Sequence, residues 1–184
     1  MAGDAIAIGL SPTRSTSSNV RPIQQDASMF NVFVSYSTAD LKHVYELREQ
    51  IADKEVDVFI AEHSVLPSES LTQTIAAAIK RCDLFVLLWS NNAKDSDWVA
   101  QELGMALQLK KQILPLKLEA SVEPDGFIKD VKYIDVPKNG QLAYGQAQEV
   151  VSRAIAKKKE TENLNDVLVF SGLALVAFWA LSQN

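Results

Sequence analysis

Cysteine is almost missing from this chain. Cys82 is the only one in 184 residues, so no internal disulfide can form and a reducing, cytoplasmic setting is expected. Histidine is nearly as scarce: His43 and His63 stand far apart with no cysteine cluster near them, so zinc-ligand spacing is missing and no metal is expected. The seven glycines form neither Gly-x-Gly-x-x-Gly after the first strand nor Gly-x-x-x-x-Gly-Lys-Ser/Thr, which removes the phosphate cradles of Rossmann and P-loop proteins. Positive charge is not in excess. Lys and Arg number 18 against 23 Asp and Glu, a net charge of -5, and the one dense basic run is Lys157-Lys158-Lys159. A nucleic-acid partner needs concentrated Lys and Arg, and none is expected.

What is present fits one well-buried domain with short appendages, since 47% of the residues are hydrophobic. Residues 1–28 mix Ser, Thr, Pro, Asn and Gln around a short apolar patch and read as a disordered leader. From Met29 strands and helices alternate. Phe30 to Ser35 reads as a first strand, Thr38 to Asp53 as a helix, Val56 to Ile60 as a second strand and Ser70 to Arg81 as a helix. Leu84 to Trp89 is a continuous apolar run suited to an interior parallel strand, followed by a polar loop from Ser90 to Asp95 and a helix from Asp97 to Lys110. Ile113 to Leu118 and Val131 to Val136 supply two more strands, and Gly145 to Lys159 a closing helix. Pro115 cannot donate to a ladder, which places the fourth strand near an edge. Five strands joined by helical crossovers give an α/β fold with a doubly wound, five-stranded parallel sheet.

Leu164 to Ser182 contains a run, Val167 to Leu181, that is apolar on every side and follows the basic run closely. At ~15 residues it spans about 22 Å as a helix, against the ~30 Å of a bilayer core, unless the whole of 164–182 takes part. A C-terminal single-pass membrane anchor with the domain on the cytoplasmic side is expected, with Lys157 to Lys159 on the positive side. The alternative is a terminal helix packed in the domain or in an oligomer.

Ligands of open α/β sheets bind at the C-terminal ends of the strands. There, Asp95, Ser96 or Asp97 can cap the next helix, putting Trp98 and Glu102 at i and i+4 on one side. On local spacing alone, Trp98 packing on the sheet and Glu102 facing solvent is the favoured arrangement. A phospho-acceptor receiver domain shares the topology but needs acidic residues ending the first strand and an Asp ending the third. Ser35-Tyr36-Ser37 and Trp89-Ser90 stand there instead.

Four pieces in order carry a resemblance: Phe33 to Ser37 followed by Asp40, the loop Glu62 to Ser70, Asp83 to Ser90, and Ser96 to Leu103. Together they resemble a TIR (Toll/interleukin-1 receptor) domain in the style of bacterial members, over about Met29 to Glu160, with the flavodoxin-like fold that implies. The family contains adaptors that only assemble signalling complexes and enzymes that cleave the nicotinamide-ribose bond of NAD+. The resemblance assigns Glu102 to the catalytic glutamate and Trp98 to the aromatic lining its pocket. It places Tyr36, Ser37, Ser35, Ser90 and Pro67 on the substrate-binding walls. NAD+ is then the substrate and no cofactor is implied, and the product is hydrolysed or cyclised. Self-association through the TIR domain and a role in anti-phage or stress defence also follow from the resemblance. A non-enzymatic adaptor gathering TIR partners at a membrane is the alternative. The family often has Pro-Gly in the loop after the second strand, whereas Ser68 follows Pro67 here.

Overall fold

The structure is a computed structural model that describes the backbone of residues 29–60 and 70–181, with side chains through Leu164. Residues 1–28, expected to form a leader, and the loop residues 61–69, Pro67 included, lie outside the described residues. The strands are β1 (Phe30–Ser35), β2 (Val56–Phe59), β3 (Leu84–Trp89), β4 (Gln112–Lys117) and β5 (Ile134–Asp135). All pairs are parallel and the order is β2-β1-β3-β4-β5. This is the flavodoxin-like α/β arrangement expected from the alternating pattern. The helices are α1 (Leu41–Ile51), α2 (Leu71–Arg81), α3 (Asn91–Lys94), α4 (Asp97–Gln108), α5 (Val136–Asn139) and α6 (Leu142–Leu181).

Side chains alternate across a strand, and that alternation builds two cores. Phe30, Val32 and Val34 of β1 join Leu84, Val86 and Leu88 of β3 beneath α1 and α6, which contribute Val44, Leu47, Ile51, Tyr144, Ala147 and Val151. On the other face Phe33 joins Phe85, Leu87 and Trp89 beneath α2 and α4, which bring Ile75, Ile79, Val99, Leu103 and Ala106. The Phe33 ring lies stacked between Phe59 and Phe85, with centroids 5.3 and 5.4 Å away.

Several boundaries differ from those read in the sequence, each for a local reason. The first helix begins as a 3-10 turn, Thr38–Asp40, before α1. The expected loop after β3 contains α3, held by tertiary contacts that spacing does not reveal. β4 is not an edge strand, because β5 lies outside it. Pairing with β5 starts only at Leu116 opposite Ile134, so Pro115 has no β5 partner demanding an N–H on that flank. The fifth strand is cut to two residues because Asp135 caps α5, accepting from the Lys138 N–H at 3.0 Å. Gly140, at φ 56, turns the chain into α6 three residues before the expected start.

The basic run before the apolar tail has a structural use. Lys158 Nζ donates to Asp83 Oδ2 at 2.8 Å and to the Met29 carbonyl at 3.1 Å, while Asp83 also accepts the Asn31 N–H at 2.8 Å. Lys159 pairs with Glu55 at 2.6 Å. Two of the three lysines therefore pin α6 to the starts of β1, β3 and β2. From Lys159 to Leu164 every residue is exposed as the helix leaves the domain. Among the described residues no helix is long and apolar enough to cross a membrane. The side chains of the expected anchor lie outside the described residues from 165 onward.

Candidate active site

Where the chain leaves β1 for β2 on one side and later inserts β3 on the other, the strand order reverses, and open α/β sheets bind ligands at the C-terminal ends of the strands at such a point, here β1 and β3. Ser35 ends β1 on the same face as Phe33, so it meets α4. Ser90 follows β3 on the same face as Leu88, so it meets the turn before α1. Both serines are fully buried.

Ser35 Oγ donates to Glu102 Oε2 at 2.6 Å, a bond between residues 67 apart in sequence. Glu102 sits on α4 in the stripe formed by Val99, Leu103 and Ala106, all buried, and is itself only 9% exposed. Helical spacing at i, i+3, i+4 and i+7 thus sets a carboxylate in the apolar face of the helix. Among the described residues no Lys, Arg or His stands against it as an ion pair. Burial disfavours its charged form and pushes the carboxyl from its ordinary 4.5 up to about 7, with the Ser35 hydrogen bond opposing that rise. Ser96 caps α4 by accepting the Val99 N–H at 3.4 Å, and Asp97 in the first turn complements the helix dipole.

Trp98, one turn before Glu102, is 50% exposed. The local alternative of a packed Trp98 and a solvated Glu102 is thus reversed: the indole is open and the carboxylate is enclosed. Ser90 donates to Asp40 Oδ2 at 2.5 Å and accepts the Ala93 N–H at 2.9 Å. Tyr36, on the opposite face from Ser35, packs half-buried on the α1/α6 core. Ser37 is half-buried and accepts the Asp40 N–H with its carbonyl at 2.8 Å.

Of the seven expected site residues, the structure joins Ser35 to Glu102 and sets Trp98 a turn away. It sends Ser90 to a carboxylate on the other face and turns Tyr36 toward the opposite core. Ser35 and Ser90, expected as substrate contacts, are enclosed donors to carboxylates. Asp40, only 7% exposed, was not among the expected site residues. Its signal was its place five residues past the first strand, inside the motif that carried the resemblance. Among the described residues no group of three or more His, Cys, Asp or Glu could hold a metal ion.

A sequence profile of the TIR domain matches residues 32–151. The probable 2' cyclic ADP-D-ribose synthase BdTIR of Brachypodium distachyon is 28% identical over 91 residues, covering 48% of this chain and 41% of that protein. The chain thus spans about two-fifths of the length of this curated relative. The crystal structure of the TIR domain of the Toll-related receptor TRR-2 from Hydra magnipapillata matches with a TM-score of 0.54 at 18% identity. The match covers 68% of this chain and 97% of that one, a likeness of fold.

Proposed function

We propose that this chain, which belongs to the TIR domain family, cleaves the nicotinamide-ribose bond of NAD+ with Glu102 as its catalytic carboxylate. The observation that carries this reading is Glu102 itself: an acid enclosed at the strand-order reversal, held by Ser35, and paired with no cation among the described residues. A carboxylate is costly to bury, and its cost is offset where a positive charge develops beside it. The name of the Brachypodium relative supports the substrate class, because a cyclised ADP-ribose is what NAD+ can become once nicotinamide has left.

In the proposed reaction the C1'–N bond breaks heterolytically and nicotinamide leaves with the bonding pair. The leaving group is cationic before the break and neutral after it, so no general acid is needed. The ribose gains oxocarbenium character, which ionised Glu102 stabilises at short range in a poorly solvated site. Water then adds to C1' and gives up a proton, yielding ADP-ribose, or a hydroxyl of the same molecule adds instead and closes a ring. Trp98, open to solvent at the rim, offers a flat apolar surface to the nicotinamide.

Self-association through the TIR domain, a cytoplasmic setting and anchoring by the apolar run 164–182 belong to the same reading, as does a role in defence. The test is incubation of the full chain with NAD+ over a range of protein concentrations, with chromatographic separation of products. Nicotinamide with ADP-ribose means hydrolysis, and nicotinamide with a cyclic product means cyclisation. No nicotinamide at any concentration, even after enforced dimerisation, leaves the adaptor reading.

A further inference from the structure

Glu102 has a counterpart on the other face of the sheet. Asp40 lies in the turn after β1, and its Oδ2 accepts a hydrogen bond from the Ser90 hydroxyl. A serine hydroxyl has one proton and rotates to suit its partners. With that proton committed to Asp40, the Ser90 oxygen is free to accept from Ala93 and so caps α3. Four residues cannot persist as a helix alone, so α3 depends on what holds it. Asn91 N–H donates to Glu119 Oε1 at 3.1 Å, Lys94 pairs with Asp125 at 2.6 Å, and Ser90 closes the first turn from below. Of these partners the Ser90 bond is the buried one, and it comes from the C-terminal end of β3. After α3 only Asp95 and Ser96 intervene before α4 begins. The two serine-carboxylate bonds cross over: β1 holds the helix after β3, and the residue after β3 holds the turn after β1.

We propose that Asp40 is a positioning residue for NAD+ cleavage: acting through Ser90, it fixes α3 and the start of α4, and so holds Trp98 and Glu102 against the substrate. This inference rests on the function proposed above.

The test uses the full chain with Asp40→Ala, Asp40→Asn, Ser90→Ala and the Asp40→Ala/Ser90→Ala double variant. Nicotinamide release is followed against NAD+ concentration and pH, and amide hydrogen exchange over residues 91–102. Asp40→Ala should lower kcat about tenfold, the scale of one buried hydrogen bond, with KM moving far less. Asp40→Asn should recover most of that loss, because its amide oxygen accepts the same hydroxyl. The double variant should be no slower than either single one, as expected of two groups acting as a unit. Exchange at Ala93 should quicken about tenfold in Asp40→Ala and stay near wild type in Asp40→Asn. An Asp40→Asn as slow as Asp40→Ala, with the pH midpoint of the rate moved down, would show that charge matters and overturn positioning. Unchanged exchange at Ala93 in Asp40→Ala would overturn it as well. If the wild type releases no nicotinamide, the functional reading falls, and the exchange measurement still decides whether Asp40 holds the rim. Should Asp40→Ala fail to fold, Ser90→Ala carries the same comparison.

Discussion

Glu102→Gln should make the domain more stable above neutrality while ending its activity. A glutamate in the unfolded chain titrates near 4.5, and burial lifts Glu102 to about 7 in the folded protein. Between those values the folded state keeps a proton that the unfolded state has released, so stability falls as pH rises through that window and levels off above it. At about 1.4 kcal/mol for each pH unit, ionised Glu102 costs the fold about 3 kcal/mol at alkaline pH. Glutamine has nearly the same shape and no charge to desolvate. Its amide is still buried against Ser35, so the gain over wild type at about pH 8.5 should be roughly 1–3 kcal/mol, or about 2–4 °C in Tm for each kcal/mol. Urea unfolding followed by circular dichroism at about pH 4 and about pH 8.5 measures this. Other titrating groups are common to both proteins and cancel. A difference between wild type and variant that is equal at the two pH values would refute the desolvation argument.

Since only ionised Glu102 can stabilise a positive ribose, kcat/KM should rise with pH and level off above about 7. Ser35→Ala removes the hydrogen bond that favours the charged form, so that midpoint should move up, and an unmoved or lowered midpoint counts against the pair. Lys158→Met loses its bonds to Asp83 and Met29 at the opposite, N-terminal end of the strands. It should cost about 1 kcal/mol in urea unfolding with kcat unchanged; unaltered stability would show the clasp idle. A chain ending at Asn163 should stay folded by circular dichroism, because among the described residues the last side chains resting on the domain are those around Ile155, Lys158 and Lys159. The full chain should co-sediment with lipid vesicles and the shortened one should not, and a full chain left in the supernatant argues against the anchor.

The strands at the centre of the site were legible because their signals are local. Phe30 to Ser35 is rich in Phe and Val, Leu84 to Trp89 is an apolar run between Asp83 and Ser90, and both form strands with those limits. The α4 cap was legible too, as Ser96 was among the expected caps. Glu102 was legible by position but not by environment. Its place in the Val99, Leu103 and Ala106 stripe gives the helix face, yet burial depends on the sheet that face meets. Period-two alternation from Phe33 would have turned Ser35 toward that face. The link from Ser90 to Asp40 joins residues 50 apart, and no local pattern shows which serine will find which carboxylate. α3 was missed for the same reason: Glu119, Asp125 and Ser90 hold it, and two of those come from beyond β4. The closing helix was expected to end at Lys159, where polar residues follow, but the backbone stays helical through Leu181.

Nicotinamide release from NAD+ by wild type and Glu102→Gln, assayed side by side with both shown folded by circular dichroism, tests the central claim most directly. The account predicts turnover by the wild type and a loss of about 10²-fold or more in the variant. Release by the variant at the wild-type rate would contradict it.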